Sequence, residues 1–164
     1  MKKLCLIRHA KSDWANAQLE DIDRPLNARG YADANTMSLR LKNAGILPDG
    51  ICSSSAIRAC TTALIFARAF GMSEKECIFT PKLYGASESE FIHSLSSLPD
   101  KWETVFMFGH NPTITEVANE LSGQTILNIP TCGIVMVEFD AATWAESGNG
   151  RLLLFDFPKN KSIS

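Results

Sequence analysis

The 164-residue sequence has no long hydrophobic run. Its first apolar stretch, Leu4-Cys5-Leu6-Ile7, stops after four residues at Arg8. That is too short for a signal-peptide core or a membrane span, so a cytoplasmic protein is expected. There is no surplus of basic charge either. Sixteen lysines and arginines face eighteen acids, a formal net charge of −2, which argues against nucleic acid or an anionic membrane as partner. The three tryptophans, Trp14, Trp102 and Trp144, are not interleaved with basic residues as base stacking would require. No Cys-x-x-Cys pair occurs. Cys5, Cys52, Cys60, Cys77 and Cys132 are odd in number and widely spaced, so neither a zinc site nor a disulfide framework is expected, and each reads as a small buried hydrophobe. The three histidines have no flanking carboxylates at ligand spacing, and no metal or other cofactor is expected. No Gly-x-Gly-x-x-Gly or Gly-x-x-x-x-Gly-Lys loop follows a strand-like run, which argues against a nucleotide-binding domain.

What is present is ordinary globular composition, 45% hydrophobic and 21% charged, expected to form one domain over residues 1–164. Strand-like and helix-like segments alternate, which predicts a three-layer α/β sandwich with a mostly parallel central sheet. The first strand is read at Lys3 to Arg8. A polar loop follows through Asp13, Trp14, Asp21 and Asp23 to Arg24-Pro25-Leu26, and Asn27 reads as the N-cap of a helix ending at Gly45. Gly50-Ile51-Cys52 is a brief strand, and Ser53-Ser54-Ser55 is expected to cap the next helix, which Gly71 closes. Cys77 to Thr80 is a strand and Ser89 to Leu98 a helix. Val105 to Phe108 is a further strand, leading to Asn111-Pro112 as N-cap and first-turn pair. Two last apolar runs, Ile134 to Phe139 and Leu152 to Phe157, flank Gly148-Asn149-Gly150 and predict an antiparallel sheet edge. The tail from Lys159 to Ser164 is polar and expected to fray.

Two of the three histidines share one setting, the loop at the carboxyl end of a strand: Arg8-His9-Ala10 after the first, and Gly109-His110-Asn111-Pro112 after a later one. Open α/β sheets place ligands at that end. Arg58 falls in the first turn of the helix after the serine run, where its guanidinium and the helix dipole serve the same oxygens. Arg24 lies in the loop returning over the first strand. Guanidinium groups bind phosphate oxygens bidentately, and a neutral imidazole is a competent nucleophile, so these groups together suit phosphoryl transfer. His93, between Ile92 and Ser94, has no such setting and reads as a structural histidine.

These blocks carry a family resemblance. Arg8-His9-Ala10, Asp23-Arg24-Pro25-Leu26-Asn27-x-x-Gly30, Ser53 to Ala63 and Gly109 to Pro112 resemble the histidine phosphatase superfamily, and within it the small SixA-like phosphohistidine phosphatases. The superfamily's Arg-His-Gly triplet has alanine for glycine here. The resemblance implies a phosphoglycerate mutase-like fold and a metal-independent phosphatase. His9 would be the nucleophile, Arg8, Arg58 and His110 would bind the phosphoryl oxygens, and Arg24 would add to the pocket. Relatives acting on phosphate esters use a carboxylic acid to protonate the leaving oxygen. Glu88 and Glu90 lie in the corresponding segment but fit better as first-turn acids complementing a helix dipole. Without an acid an alkoxide leaves poorly and an imidazole well, which leans towards phosphohistidine on a protein partner, such as a phosphorelay histidine domain. The rivals are a phosphomonoesterase or mutase for small phosphate esters, with Glu88 or Glu90 as acid, and a non-catalytic phosphopeptide-binding module.

Overall fold

The computed structural model describes residues 1–160. The expected fraying of the tail falls largely on residues 161–164, outside that range. Among the described residues six strands form one mixed sheet: β1 (Lys2–Arg8), β2 (Gly50–Ser54), β3 (Cys77–Thr80), β4 (Thr104–Gly109), β5 (Ile134–Phe139) and β6 (Arg151–Asp156). Their order is β3-β2-β4-β1-β5-β6. β1, β2, β3 and β4 run parallel, while β5 is antiparallel to both β1 and β6. The hairpin signal at Gly148-Asn149-Gly150 therefore marks the β5–β6 pair as expected, and the antiparallel character extends inward to the β1–β5 pair.

Alternation along the strands builds two cores. Leu4 and Leu6 of β1 face one side, with Val105 and Met107 of β4, and meet α3 (Glu88–Ser96) through Phe91 and Leu95 and α4 (Thr113–Ser122) through Ile114, Val117 and Leu121. Cys5 and Ile7 face the other side, with Phe106 and Phe108, and meet α1 (Ala28–Asn43) through Ala34, Met37 and Leu41 and α2 (Ile57–Ala69) through Ala63, Phe66 and Ala67. Phe66 lies edge-on to Phe108 at 5.1 Å between ring centroids. Each large side chain so buried contributes about 1.5–3 kcal/mol. The result is the expected three-layer sandwich, with α1 and α2 on one face and α3 and α4 on the other.

Local signals explain the boundaries, with two corrections. Asn27 caps α1 by accepting from the Gly30 amide at 2.8 Å. The helix end after Ala44 carries Gly45 at φ 76°, and Gly71 after α2 sits at φ 65°, both in the left-handed region that favours glycine. The serine run, however, does not cap α2: Ala56 is the N-cap, without a side-chain bond. Ser53 and Ser54 are buried strand residues: Ser53 Oγ donates to the Ser54 carbonyl, and Ser54 Oγ accepts from the Ala56 amide at 3.2 Å and lies beside His110 Nε2. Asn111 does not cap α4 either. Pro112 holds that position, and the Asn111 amide donates instead to Asn128 Oδ1 and the Ile129 carbonyl. All five cysteines are unpaired, with Cys5, Cys52 and Cys132 buried. No helix among the described residues is long and apolar enough to cross a membrane.

Candidate active site

Parallel pairing sets Arg8 beside Gly109, so β1 and β4 release their chains side by side and His9 and His110 follow at the same sheet end. The turn after β1 is pinned from three directions. The His9 amide donates to the Gly109 carbonyl at 3.1 Å, the Cys132 amide to the Arg8 carbonyl at 3.0 Å, and the Ala10 amide to Thr62 Oγ1 at 3.0 Å. Thr62, one turn along α2 from Arg58, donates in turn to the Arg58 carbonyl at 2.7 Å, which locks the start of that helix to the histidine turn.

The polar loop between β1 and α1 closes over this end. Its base is stapled by the Asp13 amide on the Pro25 carbonyl at 2.8 Å and the Asn27 amide on the Lys11 carbonyl at 3.0 Å. Gly30 permits this closure, because a Cβ there would collide with the Lys11 carbonyl. The loop presents Trp14, Asp21 and Arg24. Arg24 stacks 3.4 Å from the Trp14 ring centroid and is buried, whereas Trp14 is 70% exposed.

The two imidazoles lie 5.1 Å apart between centroids. His9 Nδ1 is 2.8 Å from the Ala10 carbonyl. A carbonyl only accepts, so Nδ1 carries the proton and Nε2 keeps its lone pair. No protein group among the described residues hydrogen-bonds that Nε2. Burial, reinforced by the charges of His110, Arg58 and Arg8, pulls the His9 pKa down to about 3. The arginines therefore help keep it neutral, but burial is the larger cause. His110 is lowered to about 4, again mainly by burial, with Arg58, Arg8 and Arg24 adding and Asp21 opposing. Its Nε2 is 2.8 Å from Ser54 Oγ.

Buried donors without a partner point to where a ligand belongs. Arg8 Nε, Arg58 Nε and His110 Nδ1 are all such atoms. Bonds from other donors of the two arginines fix their aim: Arg8 NH1 donates to the Ile129 carbonyl at 3.0 Å, and Arg58 NH1 and NH2 donate to the carbonyl and carboxylate of Asp21 at 2.6 and 2.9 Å. Arg24 is committed to Asp21 through Nε and NH2, and to Ser12 Oγ through NH1 at 2.6 Å. Tyr84 completes the ring. Its hydroxyl donates to Asp21 Oδ2 at 2.7 Å and its ring stands edge-on to His110 at 5.7 Å. Three guanidinium groups against one carboxylate leave a local positive excess on a chain of net charge −2.

The structure thus brings Arg8, His9, Arg24, Arg58 and His110 together at one end of the sheet. It does not bring Glu88 and Glu90 there. Neither hydrogen-bonds or pairs with those five residues among the described contacts, and Glu90 closes a capping box on the Ser87 amide at 3.0 Å. Those bonds hold its carboxyl below the usual range, the wrong direction for a proton donor. A small hollow of about 170 Å³ opens beside His110, lined by Leu83, Gly85, Ala86, Phe91, Pro112 and Thr113, with no cationic side chain. No group of three or more His, Cys, Asp or Glu among the described residues is placed to hold a metal ion.

Sequence reasoning missed Asp21, Ser54 and Tyr84 as site residues. Asp21 was legible in part from its spacing three before Arg24, and Tyr84 as one of only two tyrosines. Ser54 was misread as a helix cap.

Comparison with known proteins bears on the family and the fold. Residues 4–84 match the family model described as histidine phosphatase superfamily (branch 1). An uncharacterised chloroplast protein of Arabidopsis thaliana is 32% identical over 154 residues, covering 89% of this chain and 70% of its own. A protein assigned as phosphoglycerate mutase GpmB of Proteus mirabilis is 30% identical over 141 residues, 78% of this chain and 62% of its own. Among solved structures, one assigned as the phosphohistidine phosphatase SixA of Agrobacterium tumefaciens superposes with a TM-score of 0.83 at 27% identity, covering 96% of this chain and 98% of its own. The protein histidine phosphatase SixA complexed with tungstate shares the fold, with a TM-score of 0.84 at 23% identity over 98% of this chain and 99% of its own.

Proposed function

The chain belongs to the histidine phosphatase superfamily, in its SixA-like branch, and from that premise we propose that it removes the phosphoryl group of phosphohistidine on a partner protein, with His9 as nucleophile. Membership makes it an enzyme of the phosphatase or mutase kind. The finer reading rests on the site.

In the first step the His9 Nε2 lone pair attacks phosphorus in line with the departing nitrogen. The substrate P–N bond breaks as the His9 N–P bond forms. The leaving imidazole, already protonated on its other nitrogen, departs neutral. Water then attacks the phosphorylated His9, releasing inorganic phosphate and restoring the ring. Arg8 Nε–H, Arg58 Nε–H and His110 Nδ1–H are free to take the equatorial oxygens, where charge is carried through the transition state. Arg24 adds positive potential from behind Asp21. Ser54 orients His110 by donating its hydroxyl proton to Nε2, so that Nδ1–H faces the ligand. Guanidinium groups supply the neutralising charge, so no metal is called for, and a cytoplasmic setting goes with the same reading.

The observation that carries the nucleophile assignment is the Nδ1 bond of His9 to the Ala10 carbonyl, which leaves Nε2 unprotonated and unpartnered. The leaning towards a phosphoramidate comes from the carboxylates. Asp21, the one drawn into the site's hydrogen bonds, is held well below the usual carboxylate range by Tyr84, then Arg24 and Arg58, so at neutral pH it has no proton for an alkoxide. The uncharged hollow beside His110 suits a neutral ring better than a second phosphate. The test compares kcat/KM on a phosphohistidine peptide with that on an alkyl phosphate. The peptide is expected to win by about 10²-fold or more, the share a general acid commonly supplies. An alkyl ester turned over as fast would favour the small-ester phosphatase or mutase.

A further inference from the structure

Asp21 has no part in the steps above, yet more polar contacts meet on it than on any group that does. It lies in a 3-10 turn, Asp21–Asp23, and its side chain is half exposed. Both carboxylate oxygens are nevertheless filled. Oδ1 accepts Arg24 Nε and NH2 at 3.1 and 2.9 Å, and Oδ2 accepts Arg58 NH2 and the Tyr84 hydroxyl at 2.9 and 2.7 Å. The Asp21 carbonyl takes Arg58 NH1 as well, at 2.6 Å. Arg58 is therefore gripped along its NH1/NH2 edge, and the edge left over is the buried, unpartnered Nε–H. The carboxylate reaches the catalytic groups electrostatically too, because it pushes His110 up while all three arginines push it down.

We propose that Asp21 is a positioning residue: its carboxylate holds Arg58 and Arg24 as one rigid pair, aims the Nε edge of Arg58 at the phosphoryl group, and offsets part of their charge so that resting phosphate is not held too tightly. This rests on the reading of the Arg8–His9–Arg58–His110 cluster as a phosphoryl site. A guanidinium on a four-bond stem loses orientation when its far edge is released, and orientation counts most in the transition state. Uncompensated positive charge acts differently, tightening the grip on any phosphate, including the product. Asp21 thereby trades ground-state affinity for rate.

Asp21→Asn keeps the size and removes the charge. The expected result is a kcat lower by about tenfold or more, as for a poorly aimed donor. Inorganic phosphate, measured by calorimetry, should bind about threefold tighter or more, from the lost repulsion. The His110 titration midpoint, followed by NMR, should move down. Asp21→Glu keeps the charge and is expected to hold the midpoint and the phosphate affinity near wild type. An Asn variant with wild-type kcat would overturn the proposal, as would weaker phosphate binding alongside a lower kcat, or Asn and Glu variants alike in His110 midpoint. Failure of the parent reading looks different: wild type itself would bind no phosphate and turn over no substrate. The NMR midpoint stands independently of turnover.

Discussion

The candidate site has a floor and a rim, and they are built by opposite physics. The floor is His9, His110, Arg8 and Ser54, delivered by the ends of β1, β4 and β2. Its histidines are neutral because burial expels charge, and its free donors are orphans of a packed interior. The rim is Trp14, Asp21, Arg24 and Tyr84, carried by loops. Its charges persist because they pair with one another, and Asp21 stays ionised through hydrogen bonds while half exposed. Arg58 joins the two, rooted in α2 and gripped by Asp21. On the proposed reading the difference is a division of labour: the floor reacts, and the rim aims and tempers charge.

That division is broken most sharply at His9. His9→Ala is expected to cut kcat by about 10⁴-fold or more, as loss of a nucleophile does elsewhere. Steady-state assays retaining more than about a hundredth of the rate would remove it from that role. Arg58→Ala, at the junction, should cost about 10²- to 10³-fold, chiefly in kcat. A change confined to KM would mean that Arg58 binds ground state and transition state alike.

The floor also leaves a signature in stability. His9 and His110 titrate at about 3 and 4 in the folded protein, below the 6.5 expected of an unfolded chain. Below pH 6.5 the unfolded chain takes up protons that the folded one refuses. Unfolding free energy is therefore expected to fall as pH drops from about 6.5 towards 4, by about 1.4 kcal/mol per unit for each histidine. Asp21 is also shifted down, but from the lower carboxylate reference, so its stabilisation is lost only below about pH 4. Urea melts of His9→Asn should show a shallower slope between about pH 6.5 and 4.5 than wild type, and an unchanged slope would contradict the neutral, buried imidazole.

Smaller effects compare support within each region. Ser54→Ala leaves the half-buried His110 Nε2 without its partner and should lower kcat/KM about tenfold. Trp14→Ala removes the stack on Arg24 and should cost no more than about fivefold. A larger loss for Trp14 than for Ser54 would reverse the ranking of floor and rim.

The same contrast explains what was legible in the sequence. Three of the four floor residues announce themselves because they follow an apolar run: Ile7 leads to Arg8-His9, and Phe108-Gly109 to His110. Arg58 was readable from its place in a first turn. Asp21 was readable only as a neighbour of Arg24, since its other partners Arg58 and Tyr84 lie 37 and 63 residues away and only the folded loop introduces them. Ser54 was misread because its partner, His110, comes from a strand that pairing alone sets beside β2. The sheet's layers followed from alternation in β1, whereas the order β3-β2-β4-β1-β5-β6 depends on long-range pairing that no local pattern carries.

The most direct test is rapid acid-free quenching of the enzyme milliseconds after mixing with a labelled phosphohistidine peptide, followed by mapping of the bound phosphate. The expected result is base-stable, acid-labile phosphate on His9, absent from His9→Ala. Label on another residue, or full turnover with His9 never phosphorylated, would contradict nucleophilic catalysis by this imidazole.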